Sequence, residues 1–240
     1  DTDATTVSPT QAAADRPVVA IEVFSDVVCP WCYIGKRRFE AGLALANADG
    51  DLGVDFDVTF KPYQLDPTAA PGVAGPVFDA YSKKFGGPDR AREIIDHVTT
   101  TAAETGLEFQ MDRALRANTL LAHRLIWWAG SRNDLSQDAM MERLLQAYFM
   151  DGRHVGDADT LVELAVEVGA PEADARAFLE STDGVAEVED ELEHARQNGI
   201  TAVPTYVFDG QWAVPGAQDP QTFARVLAKM ATNARAAIDA

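Results

Sequence analysis

Two cysteines, Cys29 and Cys32, are the only ones in the 240-residue chain, and just two residues separate them. Thiols at this spacing can close to a disulfide and open again, or they can bind a metal ion. A closed structural zinc site needs four ligands, and the four histidines stand singly along the chain. A structural disulfide is also a poor explanation, because closing so short a loop restricts the unfolded chain very little. The pair therefore favours redox chemistry.

The residues around the thiols predict a buried strand followed by a helix. Residues 17–26 form an apolar, β-branched run that ends in a turn signal, and residues 30–47 carry apolar side chains at helical spacing. The proline that opens the second segment suits the first helical position, which makes Cys29 the N-cap. The free N–H groups of Trp31 and Cys32 and the helix dipole should face the Cys29 sulfur and favour its thiolate. We therefore expect Cys29 to attack disulfides and the more covered Cys32 to resolve the product.

Several neighbours of the thiols are candidates for supporting roles. Lys36, one turn beyond Cys32, either adds positive potential at the thiols or belongs to a solvated basic patch with the two arginines that follow it. Asp26 either takes part in proton transfer from Cys32 or hydrogen-bonds backbone N–H groups of its own loop. Pro30 and Trp31, between the cysteines, are expected to influence the reduction potential.

The segment FSDVVCPWCYIGKRRFE resembles the active-site segment of the DsbA family of thioredoxin-like proteins, in particular its FrnE-like branch. The resemblance covers residues 17 to about 232 through the segments FKPYQLDP, NTLLAHRLIWWA, LLQAYFMDGRHVGD, NGITAVPTYVFDG and VPGAQDPQTF. It implies a thioredoxin fold divided by a long helical insertion, with thiol–disulfide exchange at Cys29 and Cys32 as the activity. It also implies a cis peptide bond between Val203 and Pro204, opposite the cysteines, where substrate binds.

The rest of the chain fits an α/β fold of this thioredoxin-like kind, a central mixed sheet flanked by helices with a long all-helical insertion. Residues 53–65 alternate apolar and polar side chains as a second strand, and two short β-rich runs about Asp209–Gly210 predict a hairpin. A closing helix follows, with Asp219 as its N-cap. Between strand and hairpin lie helical segments at 76–85, 88–105, 111–130, 135–150, 157–168, 172–180 and 184–197. The resulting division is a disordered tail (1–17), a first thioredoxin-like part (18–75), the insertion (76–197) and a second thioredoxin-like part (198–240).

Three polar residues of the insertion attract notice within NTLLAHRLIWWA. His123 is a candidate for the substrate cleft, although a lone histidine among apolar neighbours is more often a hydrogen-bonded core residue. Asn118 is most simply a helix cap, and Arg124 a member of a surface ion pair.

The chain is strongly acidic, with 38 acidic against 20 basic side chains and a formal net charge of −18. Nucleic acids and anionic membranes are bound through basic surfaces, so this charge argues against both as partners. No stretch approaches the roughly 18 apolar residues of a membrane-spanning helix, and no basic-then-apolar succession marks a signal peptide. We therefore expect a soluble, cytoplasmic protein, although a secretion signal already removed would leave no trace.

The expected partners are proteins or peptides that carry disulfides or dithiols, with low-molecular-weight thiols, above all glutathione, as further redox partners. No metal and no bound cofactor is expected. Two alternatives stay open. One is a glutathione-dependent isomerase or transferase, of the 2-hydroxychromene-2-carboxylate isomerase or kappa-class kind. Such relatives place a serine where this chain has Cys29. The other is a binding or chaperone-like module with idle thiols.

Overall fold

The computed structural model describes residues 16–48 and 50–238. Its strands form one mixed sheet in the order β2-β1-β3-β4, with β1 parallel to β2 and antiparallel to β3, and β3 antiparallel to β4. Both predicted strands and the hairpin are confirmed. The sheet therefore unites the first part of the chain with the last. The strands are β1 (Val18–Ser25), β2 (Asp55–Pro62), β3 (Thr205–Phe208) and β4 (Trp212–Pro215).

Nine α-helices are found within the described residues, and seven of them, α2 to α8, lie between β2 and β3. This is the helical insertion that the sequence indicates. None of the helices within residues 16–48 and 50–238 is long and apolar enough to cross a membrane. A π-helical turn (Ala147–Asp151) continues α5. The helices are α1 (Pro30–Ala46), α2 (Val77–Phe85), α3 (Pro88–Ala103), α4 (Leu120–Gly130), α5 (Gln137–Gln146), α6 (Ala158–Glu167), α7 (Glu172–Glu180), α8 (Val185–Gln197) and α9 (Pro220–Ile238).

The helix that carries the cysteines, α1, packs along the closing helix α9. The two approach so closely at Gly42 that a Cβ there would lie 2.5 Å from Phe223 Cβ and 2.9 Å from Pro220 O. Asp219 caps α9 as predicted, since its Oδ1 accepts the Thr222 N–H at 2.8 Å. One buried apolar cluster runs from the sheet and these two helices into the insertion. The scaffold of the cysteines and the insertion therefore share a core.

The chain start differs in part from the expected tail. Residues 1–15 of the predicted tail lie outside the described residues. Arg16 and Pro17 are tied to the segment before β2, because the Arg16 guanidinium bonds Asp51 at 2.5 and 2.9 Å and Pro17 O accepts the Asp55 N–H at 2.9 Å. Arg16 and Pro17, which the sequence assigned to the tail, are thus held against this segment.

The helix predicted for residues 111–130 begins only at Leu120. The preceding residues are drawn out of helical geometry, because Leu115 pairs with Pro76 in an antiparallel bridge and the Val77 N–H donates to Ala114 O. Asn118 lies at the new boundary, where its Oδ1 accepts the Leu120 N–H at 3.0 Å. Apolar periodicity alone could not reveal this pairing with a distant segment.

Arg124 is not in a surface ion pair, as the sequence suggested, but is buried within the insertion. Its guanidinium donates to the backbone carbonyls of Phe178, Ser181 and Asp183 at 2.8 to 3.1 Å. These carbonyls lie at the end of α7, where helical partners are lacking. Arg124 therefore ties α4 to that helix end.

Candidate active site

The cysteines lie near the junction between β1 and α1. Cys29 is the N-cap of α1, with extended backbone (φ −90°, ψ 113°), and Pro30 follows at the start of the helix, as predicted. Both thiols are free. No backbone N–H bonds to the Cys29 sulfur, contrary to the expectation, because the Cys32 N–H donates to the Cys29 carbonyl at 3.0 Å instead. Each cysteine is only 3% exposed, so burial does not distinguish their roles.

The surroundings of the two sulfurs do distinguish them. The Cys29 Sγ donates to Val203 O at 3.7 Å. The Val203–Pro204 peptide bond is cis, which confirms that prediction. Thr201 and Ala202, which precede this bond, are exposed. Cys29 is thus the thiol that lies beside an accessible stretch of backbone.

Cys32 lies on the inner side of α1. Burial raises the pKa of its thiol well above the ordinary value, and the neighbouring Cys29 raises it further. The Ser25 hydroxyl and the Asp26 backbone N–H lie beside the Cys32 sulfur and lower its pKa in part. Cys32 therefore stays protonated at neutral pH and must lose a proton before it can attack.

Gly35 lets the loop that contains Pro204 approach the helix. A Cβ at position 35 would lie 2.9 Å from Pro204 Cγ, 3.0 Å from the Tyr206 hydroxyl and 3.4 Å from Ala217 Cβ. Our sequence reasoning missed this residue. A glycine inside a helix costs about 0.5–1 kcal/mol relative to alanine, and that cost was the available signal.

Asp26 and His123 meet behind the cysteines. Asp26 is fully buried, and its Oδ2 accepts the Leu65 N–H at 2.8 Å, so its backbone partner lies in the segment after β2 and not, as expected, in its own loop. Its Oδ1 lies 3.2 Å from His123 Nε2, which is also 3.0 Å from Tyr63 O. His123 is 3% exposed, and its Nε2 is taken up by Asp26 and Tyr63, while a part in a substrate cleft stays a prediction.

Lys36 contributes no free positive charge at the thiols, and it is not solvated either. It is 6% exposed, and its Nζ lies 2.5 Å from Glu40, 3.0 Å from Asp138 and 3.2 Å from Glu142. Burial lowers the pKa of Lys36, but these carboxylates outweigh that effect and raise it. Lys36 instead joins α1 to α5 of the insertion.

The same junction includes Arg37 and Tyr33. Arg37 forms an ion pair with Glu142, and the Tyr33 hydroxyl donates to Glu142 Oε1 at 2.7 Å. A residue on α5 thus fixes two side chains of the cysteine-bearing helix. The sequence could not reveal this, because nothing in the pattern of α5 indicates which helix it faces.

Aromatic residues surround the thiols from the insertion side. The Trp31 ring lies 5.6 Å from the His97 ring on α3. Tyr81 on α2 and Tyr148 on the π-helical turn lie close enough for the charge of a Cys29 thiolate to raise their pKa values, after burial as the larger cause. The insertion therefore forms one wall around Cys29, and Tyr81 in particular escaped the sequence reasoning.

Two free thiols at the start of a helix, with a cis-proline loop against the first sulfur, define the class of thioredoxin-like thiol–disulfide oxidoreductases. A DSBA-like thioredoxin domain matches residues 20–228, and the chain belongs to this family. The predicted family and fold are thereby confirmed, whereas the FrnE-like branch stays a prediction.

Known proteins resemble the chain over most of its length. A probable DsbA oxidoreductase from Streptomyces coelicolor is 32% identical, with a TM-score of 0.78 over 88% of this chain and 89% of that one. The protein YwbO of Bacillus subtilis is 29% identical over 211 residues, which make up 87% of this chain and 96% of YwbO. The cytosolic disulfide reductase DsbM of Pseudomonas aeruginosa, solved with GSH, shares the fold at 17% identity (TM-score 0.60, 88% and 98% covered).

Proposed function

We propose that the protein exchanges disulfides with protein or peptide substrates, with Cys29 as the attacking thiol and Cys32 as the resolving thiol. The observation that carries the proposal is the contact of Cys29 Sγ with Val203 O, beside the exposed backbone of Thr201 and Ala202. A sulfur beside accessible backbone can meet a substrate disulfide that lies along that backbone.

Substrate binding would use this backbone as the edge of a sheet. Within the described residues, no acceptor is found for the Val203 N–H, while its carbonyl meets only the Cys29 thiol. An extended peptide can pair with such groups as an added strand, largely independent of its side chains. This mode suits unfolded or flexible segments that carry a cysteine.

The exchange proceeds through two displacements. The Cys29 thiolate attacks one sulfur of the substrate disulfide, and the other substrate sulfur leaves as a thiolate. Cys32 then loses its proton and attacks the Cys29 sulfur, which closes the Cys29–Cys32 disulfide and releases the second substrate thiolate. The substrate gains two electrons and the protein loses two. Asp26 is our candidate for accepting the Cys32 proton, and the reverse sequence would oxidise a substrate dithiol.

Trapping of the mixed disulfide tests the roles of the two cysteines. Cys32→Ser and its matched control Cys29→Ser are each mixed with a peptide that contains one disulfide, and the products are identified by mass spectrometry. We expect a stable peptide adduct on Cys29 in the first variant and none in the second. An adduct that accumulated on Cys32 instead would reverse the assigned roles.

The same protein distinguishes the two alternative functions when it is titrated with glutathione. A glutathione-dependent isomerase binds reduced glutathione saturably and keeps both thiols reduced, whereas a binding module leaves the thiols inert. The presence of Cys32 behind Cys29 supports the exchange reaction, since it supplies the second thiol that an isomerase has no use for. We expect oxidised glutathione to convert the dithiol to the intramolecular disulfide.

A further inference from the structure

The ring of His123 does more than fill space among the apolar residues of α4. Its Nε2 faces two oxygens, Asp26 Oδ1 at 3.2 Å and Tyr63 O at 3.0 Å. A backbone carbonyl carries no hydrogen, so Nε2 must carry one and act as the donor. The geometry thus fixes the direction of the contact: Nε2 carries one hydrogen, which Tyr63 O and Asp26 Oδ1 share as acceptors.

Asp26 consequently has a donor on each of its oxygens. Oδ1 faces His123, and Oδ2 accepts the Leu65 N–H at 2.8 Å. The residue is fully buried, and its own backbone N–H lies beside the Cys32 sulfur. A carboxyl group that accepts at both oxygens is oriented as an acceptor, and the backbone N–H of the same residue meets the one thiol whose chemistry requires a proton to leave.

A small cavity borders His123. Its volume is about 10 Å³, room for about one water molecule, and its walls include Ser25, His123, Lys61 and Glu191. Lys61 and Glu191 form a partly exposed ion pair, with 2.7 Å between Nζ and Oε1. The histidine is thus separated from solvent by the Lys61–Glu191 pair, which belongs to β2 and α8. These residues are different from those that surround Cys29.

We propose that His123 is the positioning residue for the resolving step: it holds the Asp26 carboxylate where it accepts the Cys32 proton. This inference rests on the proposed function. The Cys32 proton passes to Asp26 while the sulfur electron pair forms the bond to Cys29 and the substrate thiolate leaves. Asp26 becomes a carboxylate again when that proton passes through water to the departed thiolate. The charged and titratable groups that face the pair or its cavity are Cys32, Tyr148, Lys61 and Glu191.

The test separates the first displacement from the second. Reduced wild-type protein and the variants His123→Phe, His123→Gln and Asp26→Asn are mixed with excess oxidised glutathione, quenched with acid at successive times, and analysed by mass spectrometry from about pH 6 to 9. The glutathione adduct on Cys29 reports the attack. Its conversion to the Cys29–Cys32 disulfide reports the resolution.

We expect His123→Phe and Asp26→Asn to slow the resolution by about ten- to a hundredfold, within the range of general acid–base effects. Their resolution rate should rise about tenfold per pH unit, because hydroxide must then remove the Cys32 proton, while the attack by Cys29 changes little. His123→Gln places a donor near the Nε2 position and should restore most of the rate.

Three results would overturn the inference. Resolution in His123→Phe with the wild-type rate and pH profile would show that Asp26 needs no positioning. Equal slowing of both displacements, with a lowered unfolding temperature, would show a purely structural role. Wild-type protein that forms neither the glutathione adduct nor the Cys29–Cys32 disulfide would refute the proposed function itself. Should His123→Phe not fold, His123→Asn, whose amide is too short to reach Asp26, takes its place with the same expectations.

Discussion

Replacement of Gly35 by alanine tests whether the fit between α1 and the Pro204 loop supports exchange. The added methyl would lie 2.9 Å from Pro204 Cγ and 3.0 Å from the Tyr206 hydroxyl, whereas unstrained carbon contacts need about 3.5–4.0 Å. Neither neighbour is flexible, because one is a proline ring and the other is buried in the core. Pro204 must therefore move by about 0.5–1 Å, and Val203 with it.

The size of the effect follows from two opposing contributions. Alanine should gain about 0.5–1 kcal/mol over glycine inside a helix, while overpacking costs about 1–3 kcal/mol. We expect a net loss of about 1–2 kcal/mol in the free energy of unfolding. A displacement of about 1 Å at a reacting centre costs up to about a hundredfold in rate, so exchange with a disulfide peptide should fall by about ten- to a hundredfold.

The assays are urea unfolding, peptide exchange, and alkylation of Cys29 by a small reagent, which should stay near the wild-type rate. Gly42→Ala is the matched control, since its methyl would meet Phe223 and Pro220 but not Pro204. It should lose stability while each folded molecule keeps its exchange rate. Unchanged stability and exchange in Gly35→Ala, or equal loss of exchange in Gly42→Ala, would refute the reasoning.

Three further predictions concern stability. Burial raises the pKa of Glu142, but Arg37 and Tyr33 outweigh it and hold the pKa below its usual value. The resulting stabilisation is present above about pH 4.3 and is lost on acidification. Glu142→Gln should therefore lower the free energy of unfolding by about 1.5–3 kcal/mol at neutral pH. It should also weaken the dependence of that free energy on pH in the acid range. Because the folded state raises the pKa of Cys32, the stability of the reduced protein should fall as the pH rises above about 8.5, and Cys32→Ser should remove that fall. Arg124→Lys keeps the charge but loses the planar set of donors. Denaturant unfolding should show that the free energy of unfolding falls by about 1.5–3 kcal/mol.

The sequence was informative wherever a local signal determines the structure. Pro30 after Cys29 indicated the start of α1, Asp209–Gly210 indicated the hairpin turn, and Asp219 indicated the start of α9. Each signal depends on the backbone preferences of one or two residues, which act in the same way in any fold.

Features that depend on contacts between distant segments could not be predicted. Lys36 reads as a surface residue until α5 brings Asp138 and Glu142 onto it. His123 offered two interpretations, and only the path of the chain places it against Asp26. The contact of the Cys29 sulfur likewise depends on Val203, far along the chain.

The redox state of the two thiols in glutathione buffers of graded potential is the most direct test of the proposed exchange. After equilibration, free thiols are alkylated and the protein is weighed by mass spectrometry. We expect a single two-electron transition, in which the protein loses two hydrogens and gains a Cys29–Cys32 disulfide. Thiols that stay reduced at every potential, or that carry glutathione without ever closing the disulfide, would contradict the proposed exchange.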